Sequence, residues 1–280
     1  MNEQKLDDRA LRALLHWYVD MGVDVATNAE PTNQFVALAE TPIDDVNSAQ
    51  IDKNTGKKAA KKPKTALVTQ IAPSTAPSAD EAVVAANEAA SKCDTVEALR
   101  AAVLAFEGCT LKAGARNTVF DDGNSESDLL VIGEAPGREE DRMGKPFVGK
   151  AGQLLDRMLA SIGRSRQENV IISNVIFWRP PGNRTPTAVE VAVCKPFVDR
   201  LVSIVKPKAI LLAGGAPTQA MLGISGIMRA RGIWREIEIP SGEKIPTLPS
   251  LHPAFLLRQP AAKRLAWQDL LALEARLRDG

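Results

Sequence analysis

The sequence predicts an α/β domain, a parallel sheet covered by helices, and three observations predict it. From about residue 80 onward, short β-branched runs alternate with helical stretches, the pattern of strands joined by crossover helices. The first of these runs ends in a Gly-rich turn, Gly133-Glu134-Ala135-Pro136-Gly137, placed as the punctuation between a strand and a helix. A chain of 280 residues with 45% apolar side chains can fill the core that such a sheet requires.

In chain order, residues 1–24 hold a short amphipathic helix, because Leu6, Leu11, Leu14, Leu15 and Tyr18 recur on one face at helical spacing. Residues 25–80 are rich in Ala, Pro, Thr, Asp and Lys and lack sustained periodicity. Such a stretch buries too little apolar surface to offset its ordering entropy and is expected to be a disordered linker. Inside it an acidic stretch precedes Lys53, Lys57, Lys58, Lys61, Lys62 and Lys64. Solvation of the linker accounts for this block, and a loose tether to phosphates is the functional alternative.

Residues 81–280 are expected to form the folded domain. Helical stretches stand at about 79–91 and 94–106, followed by the strand DLLVIG at 128–133 and a helix near 150–163. The strand NVIISNV at 169–175, a helix near 187–205 and the strand KAILLAG at 208–214 come next. Two further β runs, near 233–239 and 244–250, precede a last helix near 261–277. Ligands of such sheets bind at the carboxyl ends of the strands, so chemistry is expected just after residues 133, 174, 214 and 250.

Charge is balanced at 35 Lys plus Arg against 34 Asp plus Glu, so only local clustering could mark a polyanionic partner. No apolar run reaches the roughly 18 to 20 residues that span a bilayer, and no signal peptide opens the chain. A soluble, intracellular protein without a membrane partner is expected. Cys93, Cys109 and Cys194 make neither an even disulfide framework nor a four-thiolate metal site, and free thiols are the default.

The informative residues fall at the expected rim. GEAPG at 133–137 continues as REEDRMGKPFVGKAGQLLDRML into a helix. Ser173-Asn174 runs into FWRPPGNR at 177–184, and the last strand runs into LPSLHPAFLLR at 248–258, which carries His252. Each motif alone has a structural explanation: a strand-to-helix turn, a turn-forming Asn, a satisfied His. Together they bring a carboxylate, an amide and an imidazole to one edge of the sheet.

In this order and spacing, over roughly residues 95–275, the segments resemble the family 4 uracil-DNA glycosylases, a bacterial and archaeal branch that usually carries an iron-sulfur cluster. The resemblance implies a three-layer α/β/α fold with a central parallel four-stranded sheet. It also implies removal of uracil from DNA, which must expel the base from the stack and stabilise the anion it becomes. On that resemblance His252 donates a hydrogen bond to the uracil O2, Phe147 stacks on the flipped base and Asn174 pairs with the uracil edge. Glu134 sits near the sugar as the second catalytic residue, and Ala135 stands where other branches use Asp. Gly133, Ala135, Glu140 and Asn183 match further positions of the substrate pocket, with support of the loops as the alternative role of Glu140 and Asn183. Ser250, Leu256 and Arg258 are the expected DNA contacts, with Leu256 as an apolar wedge and Arg258 on phosphate. The bland alternative for Leu256 is burial in the first turn of a helix.

The chain departs from this family at the cluster ligands. Of four expected cysteines it keeps Cys109 and Cys194, whereas Phe106 and Trp178 occupy the other two positions. Two thiolates cannot hold a four-iron cluster, so no cluster and no other cofactor is expected. The loop RPPGNRTP is short and lacks the reactive His of the covalent branch, which argues against trapping of DNA. The leading expectation is a monofunctional glycosylase that leaves an abasic site for base excision repair. The alternatives are a protein that recognises uracil or abasic DNA and recruits repair partners through the N-terminal helix, and a glycosylase for another deaminated base such as hypoxanthine or xanthine.

Overall fold

A computed structural model of the protein describes residues 78–279. The amphipathic helix expected within residues 1–24 and most of the expected linker lie outside the described residues. The described chain begins with a capping box: the Ser78 hydroxyl accepts the Glu81 N–H, and the Glu81 carboxylate accepts the Ser78 N–H at 2.7 Å. It starts helix α1 (Ala79–Ser91), which buries Ala82, Ala86 and Ala90 at four-residue spacing. Helix α2 (Val96–Ala105) follows, capped by Thr95.

The sheet contains β1 (Asp121–Gly123), β2 (Leu129–Gly133), β3 (Val170–Asn174), β4 (Ala209–Ala213), β5 (Arg235–Glu238) and β6 (Lys244–Ser250). Their order is β1-β3-β2-β4-β6-β5. The inner four strands are parallel and the two edges antiparallel, so the sheet is mixed and six-stranded rather than four-stranded. Connection length explains the β5 edge: residues 239–243 are too few for the crossover that a parallel pair needs. Strand β1, with the sequence DDG, has no apolar pattern from which a strand could be read.

Every residue of β2, β3 and β4 is buried, as strands covered on both faces must be. Leu130, Ile132, Ile171, Ile210 and Leu212 face one layer, with α1, α2 and α5 (Ala188–Val205). Leu129, Val131, Val170, Ile172 and Leu211 face the other, against Leu155 and Leu159 of α4 (Lys150–Ala160) and Leu270, Leu273 and Leu277 of α9 (Lys263–Asp279). Each such Leu or Ile contributes about 1.5 to 3 kcal/mol through burial. This two-sided core is the three-layer arrangement.

Three short helices follow strand ends, α3 (Arg138–Met143), α6 (Gly215–Leu222) and α8 (Pro253–Arg258), and a fourth, α7 (Ile227–Ala230), follows α6. The register aligns the ends, with Gly133 opposite Asn174 and Ala213 opposite Ser250. The loops after β2, β3, β4 and β6 therefore leave from one rim. No helix among the described residues is long and apolar enough to cross a membrane.

Candidate active site

A cavity of about 490 Å³ opens at that rim. Among its lining residues are Glu134, Ala135, Glu140, Phe147, Asn174, Asn183, His252 and Arg258, drawn from segments that lie up to 124 positions apart in sequence. Pro136, Gly137, Ala151, Pro180, Arg184 and Ala254 complete the wall. Gly133 lies just behind it. A Cβ there would stand 2.5 Å from both Asn174 Oδ1 and Phe147 Cε2, so the missing side chain is what lets those two groups meet.

His252 is the N-cap of α8, and its Nδ1 accepts the Ala254 N–H at 3.1 Å. A nitrogen that accepts this bond carries no proton, so the neutral ring bears its hydrogen on Nε2. Burial, and after it the positive charge of Arg258, push the imidazole down to about 4, against the opposing pull of Glu140. The ring is therefore neutral at physiological pH. Close approach of β4's loop requires Gly214, whose φ is 111° and whose Cβ would lie 3.0 Å from His252 Cβ.

Phe147 lies beside His252, with ring centroids 5.6 Å apart and planes tilted by 32°. Its φ of 53° is a left-handed conformation that costs a bulky residue about 1 to 3 kcal/mol. Gly152 leaves room for this turn, since a Cβ there would fall 1.8 Å from the Phe147 carbonyl oxygen. Glu140 lines the cavity and also supports the loops around it. Its Oε2 accepts the Gly137 N–H at 3.1 Å, and its Oε1 accepts the N–H groups of Val148 and Gly149 at 3.0 and 2.9 Å. The carboxylate thus staples the GEAPG turn to the PFVG turn.

Glu134 is half-buried, and that burial pushes its carboxyl above the usual range. Asn174 is buried at the end of β3. Asn183, at φ 55°, accepts Arg179 Nε at 2.7 Å. Beside it Arg184 donates twice to Glu190, at 2.9 and 2.6 Å, and this guanidinium holds the Glu190 carboxyl down to about 2. Glu190 also closes the capping box of α5 with Thr187, so the RPPGNR loop is anchored to a helix start. The signature Thr187-Ala-Val-Glu190 was open to view in the sequence, although its link to Arg184 was not.

Two expected DNA contacts do not reach this surface. Ser250 is 2% exposed, and its hydroxyl donates to Asp269 at 2.7 Å. Leu256 is 0% exposed, packed with Leu154, Leu251 and Ala266. Its neighbour Leu257 is 40% exposed and Arg258 is exposed, so they are the residues that α8 turns outward.

At the positions of the family's cluster ligands the residues do not fit a four-iron cluster. Cys109 and Cys194 are buried, and burial pushes the Cys194 thiol up. Phe106 stands edge-on to Phe197 at 5.1 Å between centroids, and Trp178 is buried with its Nε1 donating to Thr118 Oγ1 at 3.0 Å. Packed rings thus stand at the two positions where the resemblance implies the other two ligands.

The arrangement suits a flat heterocycle with hydrogen-bonding edges. An aromatic face, an amide, a neutral imidazole donor and a raised carboxylate line one space that a base-sized group can enter. Comparison with known proteins agrees. Residues 120–271 match the family described as the uracil DNA glycosylase superfamily. A type-4 uracil-DNA glycosylase of Sulfurisphaera tokodaii is 33% identical over 184 residues, 63% of this chain and 82% of that protein. Type-4 uracil-DNA glycosylases of Archaeoglobus fulgidus and Thermotoga maritima are 38% and 37% identical, over 56% and 58% of this chain and 81% and 84% of theirs.

Proposed function

Because the chain belongs to the uracil DNA glycosylase superfamily, we propose that it hydrolyses the N-glycosidic bond of deoxyuridine in DNA, releasing uracil and leaving an abasic site for base excision repair. The observation that carries this reading is the pinned, neutral imidazole of His252 beside the Phe147 ring. Scission leaves the bonding electron pair on the uracil ring and an oxocarbenium-like cation on the sugar. Charge then accumulates on the uracil O2, where the Nε2–H of His252 donates a hydrogen bond. A neutral donor fixed before reaction needs no reorganisation as that charge develops.

Phe147 stacks on the base, and the Asn174 amide pairs with the uracil edge. Cytosine presents a donor where uracil presents an acceptor, and the mismatch would leave buried polar groups unpaired. Glu134 faces the sugar. Its carboxylate offsets the cation and orients the water that adds to C1′, the water's proton passing to the carboxylate and then to solvent or the departing base. Glu140 and Asn183 shape the pocket through the loops they hold. On the DNA side Arg258 contacts phosphate and Leu257, rather than Leu256, fills the gap left by the flipped base.

The reading includes no iron-sulfur cluster, on the ground that Phe106 and Trp178 are built into the core where two ligands would stand. Cluster absorption with stoichiometric iron in an anaerobically purified sample would overturn that part. The activity is tested with a single-uracil oligonucleotide and chelator present, wild type beside His252→Ala. Release by wild type and loss in the variant is the expected result. Binding of uracil DNA without release by either protein would favour a recognition protein instead.

A further inference from the structure

Arg166 lies outside the cavity lining, in the connection between α4 and β3, and its side chain is 10% exposed. Its Nη1 donates to the carbonyl of Pro146 at 3.0 Å and its Nη2 to that of Phe147 at 2.9 Å. The remaining donors reach Asp122 of β1 at 2.9 Å and Asp156 of α4, from Nε at 3.0 Å and Nη2 at 2.7 Å. The two carboxylates come from different elements, so they hold the fork in one orientation. On the other side of the same turn, Glu140 takes the N–H groups of Val148 and Gly149. The segment is gripped by a cation on its carbonyls and an anion on its amides.

We propose that Arg166 is a positioning residue for base recognition. It holds the carbonyl of Phe147 while that residue sits at φ 53°, and so aims the ring along the wall beside His252 without touching substrate. The inference rests on the reading that Phe147 stacks on the base. A planar fork with fixed donor directions can hold two adjacent carbonyls and two carboxylates together; a lysine ammonium on a flexible stem cannot.

The test measures single-turnover uracil release, and inhibition by free uracil, for wild type, Arg166→Met, Arg166→Lys, Phe147→Ala and the Arg166→Met/Phe147→Ala double variant. Assays run below the melting transition of each protein. Arg166→Met is expected to slow release about tenfold and to weaken inhibition by uracil, and the double variant is expected to be no slower than Phe147→Ala. Losses that multiply in the double variant, or an Arg166→Met rate within threefold of wild type, would overturn the inference. Should Arg166→Met fail to fold, Arg166→Lys keeps the charge and is expected to lose at least threefold; an unchanged rate would sink the idea equally. A Phe147→Ala rate within threefold of wild type would remove the stacking reading itself, an outcome separate from all of these.

Discussion

The imidazole of His252 and the backbone of Ala254 form one unit: the first turn of α8 donates its Ala254 N–H to His252 Nδ1 at 3.1 Å. The same bond caps the helix and assigns the ring tautomer, so a structural and a chemical role meet in one side chain. Replacement by Asn separates them, since Asn is a good N-cap but lacks the ring. His252→Asn is expected to melt within a few degrees of wild type while losing about two orders of magnitude or more in single-turnover uracil release. A loss under threefold would take His252 out of the mechanism.

The pH dependence of stability follows from the same ring. Its pKa falls from 6.5 to about 4 in the folded protein, so between these values the unfolded chain binds more protons than the folded one. The contribution to stability is present above about pH 6.5 and is lost as pH falls toward 4. Denaturant titrations at pH 7 and pH 4.5 are expected to show a smaller drop for His252→Asn than for wild type. Equal drops would show that His252 does not titrate as described.

On the proposed mechanism, Glu134 is expected to set the acid side of the rate. Burial raises its carboxyl, and the proposed reaction uses the carboxylate, so activity is expected to fall as pH drops through a range above that of an ordinary glutamate. Glu134→Gln is expected to be slower by roughly 10²-fold or more and to lose this acid limb. An acid limb unchanged in the variant would assign it to another group.

Gly133 leaves the space in which Asn174 and the Phe147 ring approach each other. Gly133→Ala places a methyl group 2.5 Å from Asn174 Oδ1 and from the Phe147 ring, an overpacking that is expected to cost about 1 to 3 kcal/mol. Denaturation would report that loss, and uracil release would fall with it. A fully active and equally stable variant would contradict the geometry.

Leu256 and Leu257 are expected to give opposite phenotypes. Leu256→Ala empties a fully buried position and should destabilise by about 2 to 5 kcal/mol. Leu257→Ala should change stability by no more than about 0.5 kcal/mol yet slow release from duplex DNA more than from single-stranded DNA. If the stability losses were reversed, the phase of α8 would be wrong.

Much of this architecture was legible in one dimension. The inner strands declare themselves because both faces are buried, and Leu129–Ile132 and Ala209–Ala213 are accordingly apolar throughout. The motifs at their ends lie around one cavity, with Glu134, Phe147, Asn174 and His252 on its wall. The edge strand β1 was hidden because Asp121–Gly123 carries no period, and its pairing with β3 is imposed from across the sheet.

The sequence by itself determined five of the six strands and which chemical groups follow them, since both depend on local pattern. Only the tertiary structure decided where those groups point. Pro253 begins α8 directly after His252, and the resulting helical phase buries Leu256 while exposing Leu257. Ser250 turns to the core because Asp269, nineteen residues later, offers it a buried acceptor. Glu140 is drawn to Val148 and Gly149 because their amides stand at the start of α4, where the helix offers them no carbonyl partner. A side chain takes its direction from partners that become neighbours only on folding, and no spacing rule along the chain contains them.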